Sequence, residues 1–397
     1  MKLKEILRPK CDFWERGIMI PACEEFLYLP DALTSLAKLP YRKVLVVVLN
    51  HRQSASQKVK DDNQKLWNFL FAFPNHRIRE DLFHIEYPNL DILILDRIQF
   101  PLQEKQGVGI ARHQGMNLLC KLYDEGFLRY PYFWSTDGDA RFSEDYLKEI
   151  PSHLGLAICP YIHKPAGDAL QIYELGLRYY TLGLIYANAP NPLPTIGSLI
   201  VIHREAYQKS HGFPDRMAGE DFYLINKASK IAPFGFLGDR HPVQLIDRES
   251  DRVPFGTGKG QADIAARELK HPLYHPIIFE KLKCWYEILY TSTDESLISD
   301  LKKIVPDTPV YKKMKKVLRQ PAKGKRIVNR RLEFFDLFQT MRWIHFMRDN
   351  YHSSIDYISA LQKTPFTMCS GSSLNELQIE MKEKEEQALV NFFAQKS

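Results

Sequence analysis

The chain predicts a three-layer α/β domain followed by a mainly helical region. Short β-branched or apolar runs alternate with helically spaced segments as far as about residue 265, the pattern of a sheet covered by helices on both faces. Beyond that point the strand-like runs stop and long helical stretches replace them. The 397 residues are 45% hydrophobic and 12% aromatic, which is ample for buried cores in two units. The division expected is 1–265 for the α/β domain and 266–397 for the helical region.

The first element is the apolar run at 17–21, Gly-Ile-Met-Ile-Pro, a buried strand closed by proline. Positions 29, 32, 33, 36 and 39 are apolar at helical spacing, and Pro40 lies just beyond them, so a helix spans Tyr28 to Leu39. Lys43 to Asn50 holds Val-Leu-Val-Val-Val-Leu, a strand buried on both faces. Strand, helix and strand of these lengths make a βαβ unit with a right-handed crossover. Asp91–Asp96 is a third strand, Gly109–Tyr123 a helix and Tyr132–Ser135 a short aromatic strand. Then come a helix over Phe142–Ile150, strands over Leu156–Tyr161 and Ser198–His203, and a helix over 220–231 that stops before Pro233. Helices are expected at 276–291, 294–304, 309–319, 332–361 and 373–395, the last opening on a Ser373…Glu376 capping box.

The totals exclude several classes. With 54 basic and 48 acidic residues the net charge is only +6, too small a surplus to mark a nucleic-acid binder. Cys11, Cys23, Cys120, Cys159, Cys284 and Cys369 contain no C-x-x-C pair, so zinc-ribbon and thioredoxin-like sites lack their spacing. Several lie in apolar runs as small hydrophobes, which suits a reducing, cytoplasmic setting. Met1–Lys10 has no signal-peptide pattern. The longest apolar candidate, Leu182–Ile202, is broken by Asn188, Pro190, Asn191, Pro192 and Pro194, so no membrane span is expected.

Three local patterns carry chemistry. Asp137-Gly138-Asp139 follows the Tyr132–Ser135 strand, and carboxylates at a strand's C-terminal end face the crevice where open α/β sheets bind ligands. Paired carboxylates with phosphate oxygens suit a hard divalent ion; Asp-Gly is also ordinary turn chemistry. Upstream, Gly107-Val-Gly109-Ile-Ala-Arg112-His113-Gln-Gly115 lacks the third glycine of a dinucleotide fingerprint. It reads as a helix start with Arg112 one turn in, placed to attract an anion or to orient carboxylates opposite. Downstream, Gly219-Glu220-Asp221 opens a predicted helix. Its acids complement the helix dipole, or one of them serves as a general base.

In this order these features resemble the family-2 glycosyltransferases and their GT-A relatives. Ile18-Met-Ile-Pro-Ala-Cys-Glu24-Glu25 looks like the family's opening strand and loop. Gly109-Ile-Ala-Arg-His-Gln-Gly115 is similar to its Gly-x-Ala-Arg-Asn-x-Gly, and Asp137-Gly-Asp139 and Gly219-Glu-Asp221 occupy its two acidic positions. The likeness covers about 17–260. It implies a GT-A fold and transfer of a sugar from a nucleotide-diphosphate donor, with UDP-sugar favoured and the anomeric centre inverted. The acceptor would be a hydroxyl on a carbohydrate, a lipid-linked molecule or a protein. Pro21, Ala22, Glu24 and Asn50 would line the base and ribose, and Arg112 the diphosphate. Asp137 and Asp139 would hold ribose and Mn²⁺ or Mg²⁺, Asp221 would be the base, and Glu220 would help position the acceptor.

Arg252 and Lys259 lie in a glycine-containing stretch, 248–260, that either closes over donor phosphates or is an exposed turn. His241 and His203 are candidates to complete the metal site or are structural. Residues 312–331 hold ten Lys or Arg and no acid. They form a solvated surface or a peripheral contact with an anionic inner membrane face. A retaining transferase or a nucleotidyltransferase would use the same metal site; a non-catalytic GT-A-fold interaction protein is the alternative outside catalysis.

Overall fold

The computed structural model describes residues 13–164, 166–247, 257–269 and 271–395, so Arg252 and most of the 248–260 stretch lie outside the described residues. In chain order the elements begin β1 (Arg16–Ala22), α1 (Leu29–Ala37), β2 (Lys43–Arg52), α2 (Gln57–Phe71), β3 (Asn75–Arg79), β4 (Leu82–Tyr87) and β5 (Leu90–Leu102). Next come α3 (Val108–Asp124), β6 (Tyr132–Ser135), β7 (Ala140–Arg141), β8 (Leu156–Ile158), β9 (Tyr161–His163), α4 (Asp168–Tyr186) and β10 (Ile200–His203). They continue with α5 (Arg204–Lys209), α6 (Glu220–Ala228), β11 (Phe234–Phe236), β12 (Val243–Leu245) and α7 (Thr257–Ala266). The helices α8 (Pro276–Thr291), α9 (Leu297–Ile304), α10 (Val310–Leu318), α11 (Lys325–Phe334), α12 (Leu337–Asn350), α13 (Tyr357–Lys363) and α14 (Leu374–Ala394) follow.

Two compact units result: Met1–Ala166 with Thr195–Lys259, and Gly167–Pro194 with Gly260–Ser397. The single boundary expected at 265 is therefore replaced by an excursion, because α4 leaves the α/β unit. Its apolar residues Leu175, Tyr179, Leu182 and Leu184 share one core with Phe279, Trp285 and Trp343, and Gly183 lets the Phe279 ring approach within 2.5 Å of where a Cβ would stand.

In the first unit, nine of the described strands form one mixed sheet in the order β11-β8-β10-β6-β1-β2-β5-β4-β3. Seven run one way, and β4 and β10 oppose them. β2 is buried on both faces from Val44 to Leu49, as its β-branched run requires. β7, β12 and β9 make a separate small sheet. The chain winds from β1 through β2 to β5 on one side, then returns through α3 to β6 on the other. The parallel strands β1 and β6 thus part their connections in opposite directions, which opens a crevice at their C-terminal ends.

Several local expectations change. The helix expected over Phe142–Ile150 is a series of turns. Buried Arg240 takes the carbonyls of Tyr146, Lys148 and Glu149, and buried Arg16 takes that of Leu147, so the backbone acceptors serve side chains. The strand expected over Leu156–Tyr161 splits into β8 and β9, which join different sheets. The helix expected over 332–361 becomes three pieces because Asp336 and Asp356 cap new starts, accepting from Gln339 and from Ile358 and Ser359. α2, the β3–β4 hairpin and α4 escaped the sequence reading.

The basic run falls on α10 and α11, divided at Gln320–Gly324. Lys312, Lys313, Lys315 and Lys316 are exposed, whereas Arg331 is buried against Asp294 and the carbonyls of Leu289 and Ser292. Among the described residues, no helix is long and apolar enough to cross a membrane.

The helical unit contains one fully buried ion cluster. Arg178 of α4 donates to Glu174 at 2.6 and 2.9 Å and to Glu385 of α14; burial, opposed by the Arg178 charge, raises the Glu385 pKa. Arg178→Ala strands two carboxylates in the core. Urea unfolding followed by tryptophan fluorescence is expected to show a loss of about 3–5 kcal/mol.

Candidate functional site

The crevice between β1 and β6 is lined by the segments that leave those strands. Thr136 extends the β6 ladder by donating its N–H to the Met19 carbonyl at 3.0 Å, and Asp137-Gly138-Asp139 then turns so that Ala140 donates back to the Asp137 carbonyl. Gly138 fits a close approach, since a Cβ there would lie 3.0 Å from Glu25 Oε2. Glu25, only 2% exposed, therefore presses its carboxylate against the turn from the β1 side. Asp139 is half-buried and its carbonyl accepts from Ile246.

α3 carries Arg112 into this region, 4% exposed. Its Nη2 donates to Asp137 Oδ1 at 2.6 Å, its Nε to Glu220 Oε1 at 2.9 Å, and its Nη1 to Ser135 Oγ at 2.9 Å and the Thr136 carbonyl at 3.3 Å. Burial works against the guanidinium charge, but Asp137, Glu220 and Asp221 outweigh it and raise the pKa. Gly197 leaves room for this fork: a Cβ there would sit 2.7 Å from Nη2.

The start of α3 is approached closely by the 214–217 backbone. Gly109 donates its N–H to the Arg216 carbonyl at 3.1 Å, and a Cβ on Gly109 would lie 2.3 Å from the Pro214 carbonyl oxygen. The two early glycines thus admit the 214–217 backbone, and of the two expectations for this motif the orientation of carboxylates is the one the geometry matches. Gly219, with φ of +72°, starts α6 from a left-handed conformation and delivers Glu220 and Asp221 in its first turn.

Those two acids diverge. Glu220 is 3% exposed and bonded to Arg112, so it anchors the guanidinium. Asp221 is half-buried and accepts from the Phe222 N–H at 2.7 Å. Burial and then the neighbouring Glu220 charge push its pKa up to about 7, against the opposing pull of the Phe222 N–H and Arg112.

The residues expected around the base and ribose have these contacts. Pro21 and Ala22 are buried strand residues, with Ala22 opposite Leu49. The Asn50 amide donates to the Ala22 and Val48 carbonyls at 3.0 and 2.9 Å, bracing β1 and β2. Glu24 adopts a positive φ of 57°, receives Lys58 at 2.8 Å and has its N–H bound by Asn63. Burial first, then Glu25 and Glu24, pushes the Cys23 thiol up to about 12. His241 contacts Asp145 through its backbone N–H and its Nδ1, both at 3.0 Å. Burial opposes ionisation of Asp145, but Ser143 and His241 outweigh it and bring its pKa to about 2. His241 thus does not join Asp137 and Asp139 in a compact three-ligand group among the described residues.

Sequence reasoning missed Ser135, Gly197 and Glu25. Glu25 stood beside Glu24 in the quoted motif, and only the left-handed turn at Glu24 decides which of the pair faces inward.

The chain matches no family model and no curated protein. Among solved structures it is similar to S. aureus TarS, residues 1–349, in complex with UDP-GlcNAc, at TM-score 0.37 and 14% identity over 96% of this chain and 92% of that one. It is also similar to the mannosyltransferase PcManGT from Pyrobaculum calidifontis in complex with GDP-Man and Mn²⁺, at TM-score 0.36 and 13% identity over 100% of this chain and 93% of that one.

The raised Asp221 pKa has a thermodynamic consequence. Between pH 3.8 and about 7 the folded state holds a proton that the unfolded chain has released, so stability falls as pH rises through that window. Asp221→Asn removes this loss. Its melting temperature is expected to exceed the parent's at pH 8, with the difference vanishing below pH 3.8; calorimetry at the two pH values tests this.

Proposed function

We propose that this chain is a GT-A-type, metal-dependent glycosyltransferase that moves a sugar from a nucleotide-diphosphate donor, a UDP-sugar by preference, to an acceptor hydroxyl with inversion. The observation that carries the reading is the single buried guanidinium of Arg112, which bonds both Asp137 at the crevice and Glu220 at the start of the helix bearing Asp221.

The paired carboxylates fit a hard divalent ion. Asp137 and Asp139 offer oxygen only, as Mn²⁺ or Mg²⁺ prefers, and donor phosphate oxygens would complete the set. Asp137 commits Oδ1 to Arg112, and Oδ2 has no protein partner among the described residues. Bound there, the ion would supply charge neutralisation for the leaving diphosphate. Arg112 holds the Asp137 carboxylate in a fixed orientation and, through Glu220, fixes the first turn of α6.

Asp221 is the base. A carboxylate titrating near 7 is far better matched to taking a hydroxyl proton at neutral pH than an ordinary aspartate. As the acceptor oxygen bonds to the anomeric carbon, Asp221 takes its proton. The bond from that carbon to the diphosphate oxygen breaks, and the nucleoside diphosphate leaves with the electron pair.

Two measurements test this. In a thermal-shift screen of nucleoside diphosphates, one nucleotide is expected to raise the melting temperature only with Mn²⁺ or Mg²⁺ present, and Asp139→Ala is expected to erase that shift in a folded protein. A shift that survives the substitution sinks the assignment. Separately, Asp221→Asn is expected to keep the nucleotide shift and lose about 10²–10⁴-fold in turnover. The parent's rate should rise about tenfold per pH unit on the acid side and level off near 7.

A further inference from the structure

The β3–β4 hairpin, at one end of the large sheet, carries a second polar cluster. β1, β2 and β5 separate it from β6 in the strand order. His76 on β3 stands directly opposite His84 on β4, with ring centroids 4.9 Å apart. Glu86 follows His84 by two residues and so lies on the same face of the strand. One potential ligand atom from each of the three lies within 4.8 Å of the other two.

A carboxylate supports the central imidazole. Asp91 on β5 binds His84 Nε2 through Oδ1 at 2.8 Å, and its Oδ2 accepts the Trp14 indole N–H at 2.7 Å. With both carboxylate oxygens accepting, His84 Nε2 carries the proton, and in the neutral imidazole Nδ1 has the lone pair. That Nδ1 is buried with no hydrogen-bond partner, and His84 as a whole is 2% exposed. A carboxylate fixing one imidazole nitrogen while the other presents its lone pair is the arrangement that surrounds metal-bound histidine. Glu86 and Asp91 also sit directly opposite each other across β4 and β5.

We propose that His76, His84 and Glu86 bind a divalent cation of the zinc class, with Asp91 as the outer carboxylate that orients His84. Two imidazoles and one carboxylate are the ligand types zinc takes, whereas Mg²⁺ and Ca²⁺ call for oxygen sets such as the one around Asp137. Tetrahedral bonds of about 2.0–2.1 Å put ligand atoms about 3.4 Å apart, a separation that small side-chain rotations reach. Three protein ligands leave a fourth position. His84, Glu86 and Asp91 line a cleft of about 780 Å³ with Tyr41, Lys43 and Tyr87, so that position is open to water or a small ligand.

The test uses the full chain, free of any tag and stripped with EDTA. Titration calorimetry is expected to find Zn²⁺ binding at this site, and Co²⁺ in its place is expected to give the visible d–d absorption of a tetrahedral nitrogen and oxygen site. His76→Asn and Glu86→Gln, each checked for folding by circular dichroism, are expected to weaken Zn²⁺ binding by at least about tenfold, and Asp91→Asn by about 10–100-fold. Asp139→Ala is expected to leave it unchanged. No Zn²⁺ uptake by the parent chain overturns the proposal, as do unaltered affinities in the hairpin variants. Loss of the Zn²⁺ site in Asp139→Ala would place the ion in the other carboxylate cluster and overturn it equally.

Discussion

One buried cation organises the crevice. Arg112 bonds the end of β6, the turn that follows it and the start of α6 at once, and these segments lie up to about a hundred residues from it in the chain. Burying a guanidinium and the Glu220 carboxylate is unfavourable unless each charge has its partner. Removing one member of such a set costs about 3–5 kcal/mol because the rest is left uncompensated. The planar fork matters as much as the charge. Nε, Nη1 and Nη2 reach separate acceptors in fixed directions, which a lysine ammonium could not reproduce. The demand spreads to the backbone, where Gly197 clears space for the fork and Gly109 admits the 214–217 segment.

The same arrangement carries a tension between stability and chemistry. Placing Asp221 next to Glu220 in a water-poor position raises its proton affinity, which makes its ionised form unfavourable in the folded state. A sequence selected for stability alone would put an amide or an apolar residue there. Strained or destabilised groups concentrate where function needs them, and Asp221 fits that pattern. Glu220, one residue earlier, resolves the opposite way: Arg112 pairs with it fully, and it contributes to architecture.

The two units solve the problem of buried charge in different settings. In the α/β unit, the ion set around Arg112 borders a crevice and leaves Asp137 partly exposed. In the helical unit, Arg178, Glu174 and Glu385 are sealed in a core of aromatic and aliphatic side chains, where they pin the last helix to α4. The basic segment is divided in the same way. Arg331 turns inward to Asp294 while the lysines of α10 remain in solvent, so one charge run serves both packing and surface.

Periodicity and composition were enough to place β1, α1, β2, the core of β5, α3 and β6, because each buries a face whose spacing is visible locally. The acidic and glycine motifs were visible for the same reason. Phe142–Ile150 misled because its helical spacing is local, whereas the claims of Arg16 and Arg240 on its carbonyls come from residues distant in sequence. α4 escaped because the prolines and asparagines just after it, at 188–194, dominated the reading of its last turn, and its partners lie beyond residue 260. Asn50 and Glu220 were visible by residue type, but only tertiary contacts show that one braces β1 against β2 and the other holds Arg112.

By itself, then, the amino-acid order determined those strands and helices that bury a face with visible spacing, such as β1, β2 and α3, and which acids stand at their ends, since these depend on neighbours a few residues away. Only the folded chain decided that Glu25 and not Glu24 faces the turn at Gly138, that Arg112 joins Asp137 to Glu220, and that His76, His84 and Glu86 meet on one hairpin face. Those outcomes rest on strand order, register and close backbone approach, and these arise from contacts between residues that the sequence keeps far apart.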